Sequence, residues 1–207
     1  MSAGVTLQRP HVFRPAAQEG LSPLLLLHGT GDDEHGLLGL GAALSPGAAL
    51  LSPRGMVLEG TSNRFFRRLR EGVFDESDLR VRADELAEFV HAASVEYGLE
   101  VGSLHAVGFS NGANTAGALL LTHPELLAGA ILIASVPPFT DAPPANLTGR
   151  RVLISNGEND VMARPDQTAA LADQLTERGA EVQVLTHPGG HQLVQDHLPA
   201  MQALVQQ

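Results

Sequence analysis

A serine at position 110 stands in the pattern G-x-S-x-G, which covers residues 108–112. An apolar run, LHAVGF, ends just before this serine, and an alanine-rich run, NGANTAGALLL, begins just after it. The two runs predict a strand and then a helix, with Ser110 at the sharp turn between them. Such a turn exposes the serine hydroxyl, and the flanking glycines leave room for the strained backbone. The context therefore favours a nucleophilic Ser110 over the alternative, an ordinary turn with a serine cap.

A nucleophilic serine needs a general base, and a histidine is expected to supply it. Where the serine occupies such a strand-to-helix turn, the acid and then the histidine follow it along the chain. Four of the nine histidines follow Ser110, namely His123, His187, His191 and His197. We predict His191 as the base, because it follows two glycines in a loop directly after the last predicted strand. His123 falls at a helix end, His187 ends that strand, and His197 lies near the start of the last predicted helix.

The acid that orients this histidine is expected in the loop after the next-to-last strand. Residues 151–155 form that predicted strand, and an Asn- and Gly-containing loop follows it. We predict Asp160 as the acid, because a buried carboxylate would fix the tautomer of the histidine and stabilise its protonated form. Glu158 and Asp166 are the local competitors, and the alternative role for Asp160 is that of a plain turn residue.

The same chemistry needs hydrogen-bond donors for the negative charge that develops on the substrate oxygen. One donor is the backbone N–H of Asn111, the residue that follows the predicted nucleophile. The other is expected from the loop after the first core strand, which reads HGTGDD over residues 28–33. Its two glycines let the backbone turn so that the N–H of Thr30 faces the site.

Asp32 and Asp33 end that loop, and we expect them to be structural or solvated. Two adjacent carboxylates without a framework of further ligands are weak evidence for a metal site. The chain has no cysteine, which excludes thiolate ligands, disulfides and thiol catalysis. We therefore expect neither a metal nor a cofactor.

Alternating strands and helices would have to position these residues. Six short apolar runs predict strands, at residues 23–28, 48–52, 104–109, 130–135, 151–155 and 181–186. Most are continuously apolar, as expected for parallel strands that are covered on both faces. A helix is predicted over residues 79–97 from apolar side chains at spacings of three and four, with Gly98 as its C-terminal stop. Further helices are predicted from Pro165 to before Gly179 and from about Gln192 onward.

Strands that alternate with helices predict a doubly wound α/β fold, in which a mostly parallel sheet has helices on both faces. Loops at the carboxyl ends of the strands hold the active site in such sheets. Each candidate residue above follows a predicted strand. No repeat or linker divides the 207 residues, so a single domain is expected.

The composition excludes some classes of partner. Thirteen Lys and Arg against 23 Asp and Glu give a formal net charge of −10, which disfavours nucleic acid and anionic lipid surfaces. No stretch has the length and apolarity of a membrane span, and residues 1–15 lack the apolar core of a signal peptide. Together with the absence of cysteine, this favours a cytoplasmic protein. The oligomeric state stays open, with a homodimer as one alternative.

With these motifs in place, the chain resembles the phospholipase/carboxylesterase family of α/β-hydrolases. The segments LHGTGDD, GFSNGAN, GENDVM and GGHQL match that family's blocks in order, in a resemblance that runs from about residue 21 to the C-terminus. The SNGAN motif and residues 52–79 are most similar to bacterial carboxylesterases linked to hydroquinone and catechol stress. The resemblance implies an α/β-hydrolase fold and cofactor-independent hydrolysis of small or aromatic carboxylic esters. It also supports the five site residues proposed above.

Two departures from the family pattern bear on substrate preference. Many members have Gln where this chain has Asn111, and Gly-Gly-Asp where it has Gly31-Asp32-Asp33. The predicted reaction is acyl transfer through the serine, and the same machinery would cleave acyl thioesters or lysophospholipids. A non-catalytic binding protein with a hydrolase fold is the alternative from another class, and the intact Ser/Asp/His set argues against it.

Residues 61–78 combine four arginines and two adjacent phenylalanines with a following acidic stretch. The segment follows the second core strand, so it emerges at the carboxyl-end face, where the site is expected. One hypothesis is that Phe65 or Phe66 lines the substrate pocket, because aromatic walls suit apolar ester groups. In the alternative, both rings fill the core and the arginines pair with the acidic residues.

Overall fold

The computed structural model describes residues 7–206 of the chain. The strands are β1 (His11–Arg14), β2 (Leu24–Leu27), β3 (Leu50–Pro53), β4 (Val57–Glu59), β5 (Ser62–Arg64), β6 (Arg68–Arg70), β7 (Val73–Phe74), β8 (Leu104–Phe109), β9 (Leu127–Ile133), β10 (Arg151–Gly157) and β11 (Glu181–His187). The α-helices are α1 (Leu38–Leu44), α2 (Glu76–Tyr97), α3 (Asn111–Thr122), α4 (Pro165–Thr176) and α5 (Leu198–Val205). Short 3-10 helices cover Pro124–Leu126 and Gln195–His197.

Seven strands form one sheet, in the order β1-β3-β2-β8-β9-β10-β11. β1 runs antiparallel to β3, and the other pairs in this sheet are parallel. Alternate residues of β2 face opposite sides of the sheet. Leu25 and Leu27 join an apolar cluster with α2, α3 and α4, whereas Leu24 and Leu26 join a second cluster with α1 and α5. Helices therefore cover both faces, and the predicted doubly wound α/β fold is confirmed.

The six predicted core strands are present, with ends that differ from the prediction by at most three residues. The edge strand β1 and the two hairpins β4–β5 and β6–β7 were not predicted. Both hairpins lie between β3 and α2, and they share residues with the segment 61–78. This segment is thus folded back on itself beside the sheet instead of forming an irregular loop.

The helix ends show which boundaries could be predicted from local sequence signals. α2 begins at Glu76, three residues before the predicted start, because the side chain of Asp75 caps it by accepting from the N–H of Asp78. It ends at Gly98, whose φ of +67° is the left-handed stop that was predicted. The prediction that the last helix begins at about Gln192 was wrong. A helix from that point would hold Pro199 in its interior, where proline removes a hydrogen bond, so α5 begins at Leu198 with Pro199 in its first turn.

The sequence predicts no signal peptide in residues 1–15. Of these, residues 1–6 lie outside the described residues, as does Gln207. In the described part of the chain, no helix combines the length and the apolarity that crossing a bilayer requires.

His105 on β8 is a buried titratable side chain away from the site. It is 3% exposed, and its Nδ1 has no hydrogen-bond partner among the residues that the structure describes. Burial, and then repulsion by Arg151, lowers the pKa of His105 from 6.5 to about 4. The unfolded chain therefore binds this proton more strongly than the folded chain does. Neutral His105 stabilises the fold above about pH 6.5, and this contribution is lost as the pH falls towards 4.

We expect acid to destabilise the wild-type protein more than the variant His105→Leu. Between pH 7 and pH 5, the wild-type free energy of unfolding should fall by about 2 kcal/mol more than that of the variant. Urea denaturation at the two pH values measures both changes. An equal loss in the two proteins would show that His105 is not the group responsible.

Candidate active site

The turn between β8 and α3 holds Ser110 in a strained conformation. Its φ is +52° and its ψ is −117°, a combination that L-residues rarely adopt. The neighbouring glycines are sterically required. A Cβ atom on Gly108 would lie 2.6 Å from the backbone of Ala113, and one on Gly112 would lie 2.0 Å from the carbonyl oxygen of Leu27. The predicted strand–turn–helix geometry is therefore what these residues form.

Three side chains from three loops form one chain of hydrogen bonds. His191 Nε2 lies 2.8 Å from Ser110 Oγ, and His191 Nδ1 lies 2.7 Å from Asp160 Oδ2. Because a carboxylate can only accept, the Nδ1 proton points to Asp160, and Nε2 is left to accept from the serine hydroxyl. This is the arrangement that a serine nucleophile and its general base require.

The Asp160 side chain is fully buried, and backbone groups hold it in place. Its Oδ1 accepts from the N–H groups of Met162 at 2.8 Å and Ala163 at 3.0 Å, which leaves Oδ2 for His191. The two competing acids lie elsewhere on the surface: Glu158 accepts from Thr186, and Asp166 pairs with Arg164.

The other histidines that follow Ser110 have different partners. His123 Nε2 lies 2.8 Å from Asp84 at the surface, and His187 Nδ1 accepts from the N–H of Gly189. His197 Nδ1 lies 2.8 Å from Ser155 Oγ. Of the four candidates, the fold brings His191 to the serine.

Thr30 and Asn111, whose backbone N–H groups are the predicted donors, both line the cavity. Within residues 7–206, neither N–H donates to a protein acceptor, whereas the next amide after Thr30, that of Gly31, donates to Asn63 O at 2.9 Å. Amides without a protein acceptor in this range, in residues that line the same cavity as Ser110, are suited to stabilise a developing oxyanion.

His28 anchors the loop that presents Thr30. Its Nδ1 donates to the carbonyl of Gly29 at 2.7 Å, and its Nε2 accepts from the N–H of Gly55 at 2.9 Å. Burial lowers the pKa of His28, which favours the neutral ring that these two bonds need. The sequence contained no signal for this role, because Gly55 is 27 residues away.

The side chains of Asn111 and Asn114 connect α3 to neighbouring loops, and sequence reasoning missed both. Asn111 Oδ1 accepts from the N–H of Phe65 at 2.7 Å. Asn114 Oδ1 accepts from Ser135 Oγ and from the N–H of Val136, in the loop after β9. These bonds join segments that are far apart in the chain, so no local pattern could predict them.

A cavity of about 780 Å³ opens over Ser110 and His191. Besides these two residues and the two proposed oxyanion donors, its wall consists of Arg64, Arg68, Glu71, Gly72, Phe74, Phe109, Asn114, Ala134, Val136, Val161, Met162, Arg164 and Gln167. A second hollow of about 480 Å³ lies beside Arg151 and Glu181, the first residues of β10 and β11. It is therefore at the amino ends of the strands, away from the serine.

The hypothesis that Phe65 or Phe66 lines the pocket was wrong. Phe65 is 2% exposed and packs against His28, with ring centroids 4.8 Å apart, and Phe66 is fully buried against Phe74. Both belong to the apolar core, because the chain bends inward directly after β5. The segment does reach the cavity, but its aromatic lining residue is Phe74, and Phe109 from β8 also lines the cavity.

Alanine substitutions should distinguish the core-packing role of Phe66 from the pocket-lining role of Phe74. Phe66→Ala is expected to lower the free energy of unfolding by about 3–5 kcal/mol and to reduce kcat/KM for all esters by a common factor. Phe74→Ala is expected to change the ranking of esters by up to about 1–3 kcal/mol in kcat/KM ratios, because it removes a pocket wall. Chemical denaturation and a panel of esters measure both effects. A changed ranking in Phe66→Ala without loss of stability would contradict the assignment.

Ligand atoms of Asp33, Glu34 and His35 lie within 4.8 Å of one another. Their own contacts explain this proximity. Glu34 accepts from Arg54 Nη2 at 2.7 Å, and this ion pair lowers the pKa of Glu34. Asp33 Oδ1 accepts from the backbone N–H of His35 at 2.9 Å. The prediction that the two aspartates of this loop do not bind a metal stays a prediction.

Comparisons with known proteins agree with this geometry. The family model described as serine hydrolase (FSH1) matches residues 75–200. MhqD of Bacillus subtilis (strain 168), a protein assigned to the hydrolases, is 42% identical over 185 residues, which cover 89% of this chain and 92% of that protein.

Two solved carboxylesterase structures are also similar. The one from Bacillus cereus is 39% identical with a TM-score of 0.92, and the match covers 95% of this chain and 92% of that one. The one from Mesorhizobium loti is 30% identical with a TM-score of 0.89, over 96% of this chain and 95% of that one. The family match covers more than half of the chain, and these relatives align over nearly all of it. This protein belongs to the serine hydrolase (FSH1) family and is an α/β-hydrolase of the phospholipase/carboxylesterase type.

Proposed function

We propose that this hydrolase cleaves carboxylic esters of small or aromatic substrates through an acyl-enzyme. The observation that supports this most directly is the continuous hydrogen-bond chain from Asp160 through His191 to Ser110, of which the last two line an open cavity. The similarity to the Bacillus cereus carboxylesterase agrees with ester hydrolysis.

In the first step, Ser110 Oγ attacks the ester carbonyl carbon while His191 Nε2 takes the hydroxyl proton. The carbonyl oxygen becomes negatively charged, and the N–H groups of Thr30 and Asn111 donate to it. The tetrahedral intermediate then collapses. Its C–O bond to the alcohol breaks, His191 returns the proton to the departing alkoxide, and the acyl group remains on the serine.

In the second step, water attacks the acyl-enzyme. His191 Nε2 takes a proton from the water, the same two amides stabilise the oxyanion, and Ser110 leaves as the alcohol when it regains that proton. Throughout both steps, the Asp160 carboxylate keeps the imidazole in the correct tautomer and stabilises its protonated form. The steps use this chain's own groups, and we propose no metal or cofactor.

A fluorophosphonate probe tests this proposal, because it reacts with serines that a neighbouring base activates. We expect one covalent adduct, on the peptide that contains Ser110, together with turnover of small aryl and alkyl esters. A panel that includes acyl thioesters and a lysophospholipid defines the preferred bond. Failure of both labelling and turnover in the folded protein would instead support a non-catalytic binding protein.

A further inference from the structure

The residues that line the cavity include more arginine than the acidic composition of the chain would suggest. The chain has 13 Lys and Arg against 23 Asp and Glu, a formal net charge of −10. The residues that line the cavity include three arginines, Arg64, Arg68 and Arg164, against a single carboxylate, Glu71. Arginine side chains at the cavity of an otherwise acidic protein are groups to which an anionic ligand can bind.

Arg64 and Arg68 share one carboxylate, that of Glu59. Arg68 Nε donates to Glu59 Oε1 at 2.8 Å, and Arg64 Nη1 lies 3.3 Å from Glu59 Oε2. The bond from Arg68, together with the charge of Arg64, lowers the pKa of Glu59. Burial, and then repulsion by Arg68, lowers the pKa of Arg64. Two guanidinium groups and one carboxylate leave one positive charge uncompensated within this cluster.

The same two arginines have N–H donors that no protein group among the described residues uses. Arg64 is only 4% exposed. Its Nε donates to Phe66 O, and its Nη1 donates to Thr30 Oγ1 and Glu59. Its Nη2 has no acceptor within residues 7–206, and Arg68 uses only its Nε there. A buried cation at a cavity wall with unused N–H donors matches the geometry of a carboxylate, which accepts from such groups in pairs.

The third arginine differs from these two. Arg164 is exposed, and Asp166 neutralises it with two hydrogen bonds of 3.0 Å. The two lining arginines that share a single carboxylate, Arg64 and Arg68, lie on the side of the cavity formed by β5 and β6, and the exposed Glu71 directly follows β6. That side is adjacent to the loop of Thr30, because Arg64 Nη1 lies 2.8 Å from Thr30 Oγ1. An anion bound there would be close to the ester carbonyl held by the N–H of Thr30.

We propose that Arg64 and Arg68 form a subsite for a carboxylate, and that the preferred substrates are esters that carry a second, free carboxylate group a short distance from the ester bond. Half-esters of short dicarboxylic acids and acyl esters of short hydroxy acids belong to this class. This inference rests on the proposed ester hydrolysis, and it specifies that the preferred substrates carry a negative charge.

Matched pairs of esters test the subsite. Monomethyl glutarate and methyl glutaramate have nearly the same shape, but only the first carries a carboxylate, on the acyl side. Acetoxyacetate and acetoxyacetamide form the corresponding pair with the charge on the alcohol side. We expect the wild-type kcat/KM to favour the anionic member of at least one pair by about tenfold or more, the size of a hydrogen bond to a charged group.

Arg68→Gln removes one cation of the subsite without touching Thr30. For this variant, kcat/KM for the anionic ester divided by kcat/KM for the neutral ester is expected to be about tenfold lower than for the wild type. The ratio is measured within one protein, so partial misfolding of a variant cancels. Arg70→Gln is the matched control: it removes the same charge from the same strand at an exposed residue that does not line the cavity, and the ratio should stay at the wild-type value.

A binding measurement separates failure of the subsite from failure of the proposed function. Glutarate, the product of the anionic acyl-side ester, is expected to bind the wild type, and Arg68→Gln should weaken this binding about tenfold in calorimetry. If the neutral esters are hydrolysed and both wild-type ratios are near one, the subsite is refuted and ester hydrolysis stands. If no ester is hydrolysed, ester hydrolysis is refuted. In that case, glutarate binding that depends on Arg68 supports the subsite, and binding that is absent or unchanged in Arg68→Gln refutes it.

Discussion

Replacing Ser110 with alanine is expected to lower kcat for ester hydrolysis by about 10⁴- to 10⁶-fold. The proposed mechanism forms its covalent bond at Ser110 Oγ, which lies 2.8 Å from His191 Nε2. His191→Ala is expected to cost nearly as much, because the serine hydroxyl then has no group to accept its proton. The double variant should be no slower than either single variant, since the two residues act as a unit. Initial rates above the uncatalysed background measure all three.

His123→Ala is the matched control for the histidine. It is the same substitution at a histidine that also follows Ser110 but bonds to Asp84 at the surface, so kcat should stay near the wild-type value. Thermal denaturation shows whether each variant remains folded. Near-wild-type turnover by folded His191→Ala would refute His191 as the base.

Asp160→Asn is expected to lower kcat by about 10⁴-fold while the fold is retained. The reason lies in the loop that holds this side chain. The N–H groups of Met162 and Ala163 both donate to Oδ1, so the amide oxygen of an asparagine would take that place and its NH₂ group would face His191. That NH₂ group would donate to Nδ1 and force the ring proton onto Nε2. The Nε2 atom could then no longer accept a proton from Ser110.

Asp166→Asn is the control for the acid, because Asp166 was the neighbouring candidate and pairs with Arg164 at the surface. Its kcat is expected to stay within about twofold of the wild type, as for most surface substitutions. The two variants are compared by initial rates with one ester and by thermal denaturation. A larger loss in Asp166→Asn than in Asp160→Asn would reverse the assignment of the acid.

Much of the site could be predicted because its determinants are local or follow from strand direction. The turn at Ser110 needs a glycine two residues before it and another two residues after it, since a Cβ atom at Gly108 or Gly112 would meet neighbouring backbone. Asp160 and His191 are 50 and 81 residues from the serine, yet each follows the carboxyl end of a strand of one parallel sheet. Those ends share one edge, so loops that are distant in sequence meet there.

The pocket could not be predicted in the same way. Phe65 and Phe66 are adjacent and equally apolar, and their burial depends on His28 and Phe74, which other segments supply. The sequence likewise showed arginines beside acidic residues in this region, but not which of them pair. Arg67 pairs with Asp75, as the acidic stretch suggested, whereas Arg64 and Arg68 share Glu59 across the two hairpins.

The sequence by itself determined the order of the six core strands and of α2, α3 and α4, the strained turn at Ser110 and the loops from which Asp160 and His191 extend. Backbone sterics and the common direction of parallel strands act the same way in any chain with this pattern, so these features can be inferred from the residues alone. Only the tertiary structure decided which side chains of the segment between β3 and α2 face the cavity. That choice depends on how two short hairpins pack against the sheet and the loop of Thr30, and such packing is the sum of many contacts between residues that are far apart in the chain.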